Sequence, residues 1–337
     1  MKSVRIRGEG VAASCCAHLL HRAGLAVARE LGGRPRVPAV MLGETAQKLL
    51  GDVFERTDLF DGATRVRRRI VAWGANAAPL TLAHSSVVAS EDALLDRIHA
   101  GLDAPEAATE MAAADSDWTI FAARPLPEGV ALHHFGSRLA RASTVRLTAP
   151  DSGDACFTES LDAGWLFLLP GGDGRGWMLS VGGPVDALLA QSSLIAGQVA
   201  GVEPVGEEFP CHPRIADPLS APGWLICGTA AVGFDPLCGD GVGYATREAI
   251  LASAVVRAAA EGSDADTLAS YYRTGVVATF HKHLLACQEF YRKGRRGAWW
   301  EQQLAEIERG LSWCAERLRE MERIPYRLQG FELQRIA

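Results

Sequence analysis

The sequence predicts an α/β fold: a split Rossmann-like domain interrupted by an antiparallel sheet and closed by C-terminal helices. Three observations carry this. The glycine-rich turn Gly8-Glu9-Gly10 stands between a strand-like segment and an apolar helix-like one. A second glycine-rich stretch, 228–243, follows the apolar run Trp224-Leu225-Ile226-Cys227 far along the chain. Between the two, residues 130–181 read as alternating strands, and everything after Arg247 is helix-prone.

Taken in order, Val4-Arg5-Ile6-Arg7 alternates like a short strand, and 12–23 is small and apolar enough for a buried helix. Leu25-Ala26-Val27-Ala28 is a second strand, followed by a loop rich in glycine, arginine and proline. A helix is expected over 44–54, short strands over 66–88, and a helix from Ser90-Glu91-Asp92 to Ala100, extended by 104–114. Strands such as Thr144-Val145-Arg146-Leu147 and Trp165-Leu166-Phe167-Leu168 form the inserted sheet, and 186–200 returns to helix. Trp224-Leu225-Ile226-Cys227 has the composition of a buried parallel strand. Helices over 249–260, 268–291 and 299–323 complete the chain. The domain limits that follow are 1–75, 90–125 and 206–265 for the nucleotide-binding domain, 76–89 and 126–205 for the sheet, and 266–337 for the helical region.

With 337 residues, 48% of them hydrophobic, the chain can bury a large core and hold two or three subdomains. A net charge of −6 excludes the concentrated cationic surface that a nucleic-acid backbone requires. The arginine clusters at 65–69 and 292–296 are short and read as solvated faces. No secretory signal or membrane-crossing apolar stretch is visible, so a cytoplasmic location is expected. The eight cysteines lack zinc-site spacing and are expected to be reduced, buried thiols; no metal site is expected.

The first motif, Gly8-Glu9-Gly10-Val11-Ala12-Ala13, is a G-x-G-x-x-A turn in the context a dinucleotide fingerprint needs. Gly8 and Gly10 let backbone approach a pyrophosphate, Ala13 lets helix and strand pack closely, and the helix start offers N–H groups to phosphate. Glu30, 22 positions after Gly8, stands where a carboxylate can accept hydrogen bonds from ribose hydroxyls.

The second motif runs Gly228-Thr229-Ala230-Ala231-Val232-Gly233-Phe234-Asp235-Pro236-Leu237-Cys238-Gly239-Asp240-Gly241-Val242-Gly243. It resembles the late G-D-A-A-x-x-x-D-P-x-x-G-x-G segment of FAD-dependent monooxygenases, tryptophan-halogenase-like flavoenzymes and geranylgeranyl-reductase-like proteins. Leu42-Gly43-Glu44-Thr45 resembles the G-E-S segment of the halogenase-like members, and Gly164-Trp165-Leu166-Phe167-Leu168-Leu169-Pro170 resembles their W-x-W-x-I-P strand. The Phe-Asp-Pro-Leu run at 234–237 looks closest to flavoproteins that mature quinone-cofactor amine oxidases.

This resemblance implies that the split domain binds FAD. Gly8, Gly10, Ala13, Glu30, Gly43, Glu44, Gly228, Thr229, Asp235, Pro236, Gly239, Gly241, Val242 and Gly243 would contact the cofactor. A helix starting near Gly241 would offer its dipole to the negative charge of reduced flavin. Trp165, Phe167 and Pro170 are either a substrate-cavity wall or ordinary packing. The implied activity is monooxygenation of an aromatic or otherwise electron-rich group, on a small molecule or a partner protein. In the family's scheme NAD(P)H reduces the flavin, oxygen adds at C4a, and the hydroperoxide hydroxylates the substrate. Two alternatives stay open: reduction of an unsaturated substrate, and a flavin-poor relative that binds a partner through Trp299-Trp300 and the last helices.

Two departures stand out. Thr229 replaces the family's aspartate, giving a neutral hydroxyl where a carboxylate would accept charge-assisted hydrogen bonds. The middle D-G segment is reduced to Phe121-Ala122-Ala123-Arg124. None of the four lysines, Lys2, Lys48, Lys282 and Lys293, falls near 71–75, which disfavours halogenation. No catalytic residue is assigned. His84, His133, His134, His281 and His283 are weighed as acid-base groups and read mainly as surface or core residues.

Overall fold

The computed structural model describes residues 2–32, 36–75, 77–100, 116–149, 153–321 and 325–336. The chain opens with β1 (Ser3–Arg7), α1 (Val11–Arg22), β2 (Ala26–Glu30), β3 (Val40–Gly43) and α2 (Glu44–Phe54). It continues through β4 (Thr64–Ala72), β5 (Leu80–Ala89), α3 (Glu91–Ala100), β6 (Trp118–Phe121), β7 (Ala131–His134), β8 (Leu139–Leu147), β9 (Ala155–Leu161), β10 (Gly164–Gly172) and β11 (Arg175–Gly182). Then come α4 (Val185–Gln191), β12 (Val199–Pro210), β13 (Arg214–Asp217), β14 (Ser220–Ala221), β15 (Trp224–Ile226) and β16 (Val232–Gly233). The last elements are α5 (Gly241–Ala260), α6 (Ala265–Arg292), α7 (Ala298–Glu320), β17 (Tyr326–Gln329) and β18 (Glu332–Arg335). The expected extension of α3 over 104–114 lies outside the described residues.

A five-stranded sheet in the order β14-β15-β6-β1-β2 unites the start, middle and late parts of the chain. β15, β6, β1 and β2 are mutually parallel and β14 is antiparallel to β15, with Val4 opposite both Val27 and Trp118, and Trp224 opposite Thr119. Val4 and Ile6 of β1 are buried while Arg5 and Arg7, on the opposite side, are partly exposed. That alternation accommodates two arginines in a strand whose neighbours are apolar.

The eight-stranded sheet runs β12-β8-β11-β10-β9-β4-β5-β3 and is antiparallel except where β4 lies parallel to β9. Segments 64–72 and 199–210, which the sequence reading places partly in the nucleotide-binding domain, pair into this sheet. From Gly164 to Pro170 every residue of β10 is buried, because both faces are covered. Trp165, Phe167 and Leu169 join the main core, whereas Leu166 and Leu168 form a second core with Phe157, Met178, Leu188 and Ile195. A small sheet, β16-β13-β7, sets Arg214 opposite both Gly233 and His134.

Two expectations are corrected. The helix expected over 186–200 stops at Gln191, and the chain re-enters the large sheet as an edge strand. The buried Glu159 carboxylate accepts the Ser192 and Ser193 hydroxyls and the N–H groups of Ser193 (2.8 Å) and Ile195 (3.0 Å), drawing the backbone out of helical geometry. Burial opposes the charge of Glu159, but these donors outweigh it and hold the carboxyl below its ordinary range. The region 266–337 is not helical to its end. Beyond Pro325, Tyr-Arg-Leu-Gln and Glu-Leu-Gln-Arg alternate with period two and form a hairpin, with Gly330 at φ +59° in the turn.

Candidate functional site

The glycine turns meet at the carboxyl ends of the parallel strands, the crevice where open α/β sheets take ligands. Gly8 donates its N–H to the Glu30 carbonyl at 2.8 Å, and its φ of +134° is a conformation for glycine. A Cβ on Gly8 would sit 3.1 Å from the Ala122 carbonyl carbon, and one on Gly32 would sit 2.7 Å from the Ala123 Cβ. The ends of β1, β2 and β6 therefore touch backbone to backbone. Helix α1 begins after Gly10 with no side-chain cap and no acid in its first turn, and Ala13 is fully buried. Its first N–H groups are free of side-chain competition for an anion.

Glu30 reaches the expected place beyond β2. Its carboxylate pairs with Arg7 at 2.7 Å, in a half-exposed pair that leaves lone pairs for further donors.

The late turn closes on the first. Gly228 has φ +64°, and a Cβ there would sit 2.8 Å from the Ala12 Cβ in the opening turn of α1. The Gly228 N–H is donated at 2.7 Å to Oε2 of the buried Glu248, a residue sequence reasoning missed. Burial raises the Glu248 carboxyl to about 8, the Gly228 N–H working the other way, and its Oε1 has no partner among the described residues. Thr229 is exposed, and its carbonyl accepts from Arg214 at 3.2 Å.

Further on, Pro236 opens a short 3-10 turn ending at Gly239, whose φ is +61° and where a Cβ would sit 3.3 Å from the Met41 Cε. Gly43 caps α2 and Glu44 is exposed at its start, so β3 also borders the late turn. Helix α5 starts at Gly241 as expected, without a side-chain cap and without an acid in its first turn. Gly241 is open to solvent, Val242 is half-buried, and Gly243 leaves the space that the Asp240 carboxylate fills.

Asp235 is placed differently from the others. It is 2% exposed, and both carboxylate oxygens are bonded to protein groups. Arg138 donates to Oδ2 at 2.8 Å, Tyr291 donates its hydroxyl to Oδ2 at 2.9 Å, and the Leu237 N–H reaches Oδ1 at 2.9 Å. The Asp235 N–H is itself donated to Nε2 of His283 at 2.9 Å. Arg138 also donates to Gln303 at 2.8 Å and lies 4.8 Å from the centre of the Tyr291 ring. Although burial works against its charge, Tyr291 and Asp235 hold the Arg138 guanidinium above its usual range.

This buried knot joins the Asp235–Pro236 loop to α6 and α7. Part of it was readable: His283, Cys287 and Tyr291 recur every four residues and so share one helix face. Arg138, in the link between β7 and β8, carries no such signal.

Trp165 is fully buried and donates its indole N–H to Tyr291 at 3.3 Å, extending the knot into the large sheet. Phe167 lies under the Arg69 guanidinium at 5.8 Å, and Pro170 is buried. Trp300 and Tyr291 are 1% exposed and anchor the last helices, while Phe290 is exposed. Lys293 lies against Gly74 in space through its backbone; its ammonium is exposed and paired with Glu289 at 2.7 Å. Seven cysteines are buried and in no disulfide, and among the described residues no group of His, Cys, Asp and Glu could hold a metal. No helix among the described residues is long and apolar enough to cross a membrane.

The donor set fits a dinucleotide: the start of α1 has no side-chain cap and no acid in its first turn, and Gly8, Gly32 and Gly228 pack so closely on Ala122, Ala123 and Ala12 that the turn backbones are brought together. No family model and no curated protein matches the sequence. Solved structures do. The flavin-dependent halogenase CmlS superposes with a TM-score of 0.75 at 17% identity, over 99% of this chain and 84% of that one. The peptidyl tryptophan dihydroxylase QhpG, essential for tryptophylquinone cofactor biogenesis, gives 0.68 at 19% identity, over 89% and 78%. A variant of HpxO from Klebsiella pneumoniae complexed with FAD gives 0.60 at 13% identity, over 95% and 94%. The chain thus has the fold of the flavin-dependent halogenases and monooxygenases.

Proposed function

We propose that this chain is an FAD-dependent oxidoreductase of the monooxygenase type, hydroxylating an aromatic or other electron-rich group. The observation that carries the reading is the junction of the two glycine turns, where Gly228 lies against Ala12 in the opening turn of α1. Gly8, Gly10 and the first N–H groups of α1 would take the pyrophosphate, and Ala13 keeps helix and strand close. Glu30, already oriented by Arg7, would accept from ribose hydroxyls. Gly228 and Thr229 would border the ribityl chain, with Glu248 fixing Gly228 from beneath. Pro236, Gly239, Gly241, Val242 and Gly243 would line the ring end, the α5 dipole favouring negative charge there. Gly43 and Glu44 border the same end from β3, and Met41 contacts Gly239.

When bound, the flavin would supply the redox chemistry and activate oxygen, with NAD(P)H as electron donor. The role of this chain is to orient the ring and exclude water. Asp235 serves through position: clamped by Arg138 and Tyr291, it fixes the entry to the Pro236 turn. Trp165 and Phe167 lie on the face of the large sheet turned to the main core, where they would bound the substrate side.

Monooxygenation is favoured over halogenation by the placement of Lys293, the lysine nearest Gly74, whose ammonium is turned to solvent and to Glu289. The substrate is a small molecule or a side chain of a partner protein. The reading is tested by incubating FAD-loaded protein with NADPH or NADH and an aromatic donor panel that includes tryptophan peptides. Oxygen uptake coupled to a product heavier by one or two oxygen atoms supports it. Nicotinamide oxidation that proceeds anaerobically and saturates a substrate double bond favours the reductase alternative.

A further inference from the structure

The face of the large sheet turned to the main core carries polar atoms that the proposed flavin contacts do not use. Arg69 of β4 stands opposite Leu82 of β5 and Cys156 of β9. Its guanidinium lies 5.8 Å from the centre of the Phe167 ring, and its Nη2 is 3.4 Å from the Thr158 hydroxyl. Val66, a main-core residue, stands opposite Ser86. Leu82 and Ser86 therefore share this face, and alternation along β5 sets His84 between them. The stripe ends at Gly43, which pairs with Ser86.

Three buried polar atoms on this face have no hydrogen-bond partner among the described residues: Arg69 Nε, His84 Nε2 and Ser86 Oγ. Ser86 is 4% exposed. A buried polar atom left unmatched is costly, and three along one stripe mark a place for a ligand. Arg68, one residue earlier, pairs with Asp154, whereas no carboxylate among the described residues pairs with Arg69. Burial first, and the Arg69 charge second, push the His84 imidazole below its ordinary range, so the guanidinium supplies the positive charge here. Leu80 and Leu82, 59% and 44% exposed, give the outer end of the stripe an apolar mouth.

Nε and Nη2 are the two donors of an arginine's side-on fork. Here the first is unmatched and the second holds only a long hydrogen bond, and a carboxylate is the planar acceptor that fits both. We propose that Arg69 is the specificity-determining residue of the substrate site, taking the carboxylate of a small aromatic acid that enters past Leu80 and Leu82. His84 and Ser86 face the polar substituents of its ring, on the way to Gly43. The oxidation of that ring rests on the flavin function proposed above; the carboxylate contact involves protein atoms alone.

The test is calorimetric titration of the full chain, incubated with FAD, with benzoate, 4-hydroxybenzoate and indole-3-carboxylate and with their neutral amides. Wild type is compared with Arg69→Gln, Arg69→Lys and Leu82→Glu. Leu82→Glu is the diagnostic variant, because it sets a carboxylate opposite Arg69 at an exposed position and removes no donor. At least one acid is expected to bind wild type about tenfold or more tightly than its amide. That preference is lost in Arg69→Gln and Leu82→Glu and reduced in Arg69→Lys, whose point charge cannot form the fork. Thermal midpoints in ligand-free buffer stay close to wild type. Wild type that prefers no acid to its amide, or that binds N-acetyltryptophanamide more tightly than every acid, overturns the proposal, as do variants that keep the preference. Visible absorbance of the same samples reports retained flavin. Flavin retained without an acid preference sinks the carboxylate site alone, and an acid preference in protein that retains no flavin sinks the flavin reading alone.

Discussion

Asp235 and Thr229 are six residues apart in one turn, and their surroundings are opposite. At the inner end a carboxylate is sealed in the core and fully matched by Arg138, Tyr291 and the Leu237 N–H. At the outer end Thr229 is exposed and its carbonyl accepts from Arg214, which makes no ion pair with a carboxylate among the described residues. The contrast separates two tasks within one motif. Where charge is balanced internally, the loop is fixed to the rest of the molecule; where it is left open, the loop is exposed and, on the function proposed above, faces the cofactor. The family pattern alone assigns both residues to the cofactor, and only the geometry divides them.

The largest effect is expected from breaking the inner end. Arg138→Met leaves Asp235 buried and unpaired, which should cost about 3–5 kcal/mol in chemical denaturation. Arg138→Met combined with Asp235→Leu should cost less than the sum of the single changes, since no uncompensated charge remains. Additive costs would show that the two side chains are not a pair.

Next is Glu248, which supports the turn from below. Its folded-state value of about 8 lies above the ordinary 4.5, so the native state retains a proton that the unfolded chain releases. The stability this confers is full below pH 4.5 and is lost as pH rises through 8. Glu248→Gln cannot ionise and keeps an acceptor for the Gly228 N–H. Urea denaturation should show variant and wild type similar near about pH 5, and the variant more stable by a few kcal/mol near about pH 9. An equal difference at both pH values would mean that Glu248 is not buried in protonated form.

Smaller effects sharpen the contrast. Tyr291→Phe removes one hydrogen bond to a buried carboxylate and should cost about 1.5–3 kcal/mol. Thr229→Asp introduces an exposed partner for Arg214 and should change ligand-free stability by less than about 1 kcal/mol. A carboxylate gained outside is thus expected to matter far less to folding than a hydroxyl lost inside. The reverse order would invert the assignment of the two ends.

What the sequence made legible follows from periodicity and turn chemistry. The helix at Glu44–Phe54, the start of α5 at Gly241 and the parallel strand at Trp224–Ile226 were all readable, because glycine turns bound them and their apolar patterns are unambiguous. The edge strand Val199–Pro210 was not, since eight of its last nine residues are exposed or nearly so and it is fixed by pairing with β8. The shortening of α4 depends on Glu159, more than thirty residues earlier, whose bonds leave no local trace. Within the site, glycines announced themselves because tight turns need them. Arg138, Gln303 and Glu248 did not, because each acts through a tertiary contact from a segment without a motif of its own.

The central claim is that the two glycine turns together hold FAD, and one spectrum addresses it. Purified protein is incubated with FAD, desalted, and its visible absorbance recorded beside that of Gly10→Val. Gly10 has φ −80° and ψ −175°, a backbone conformation open to valine, so the substitution puts a side chain where a pyrophosphate would approach without backbone strain. A flavin band retained by wild type and lost in Gly10→Val, with thermal midpoints unchanged, is the predicted result. Folded wild type that retains no flavin, or a Gly10→Val variant that retains it fully, would contradict the account.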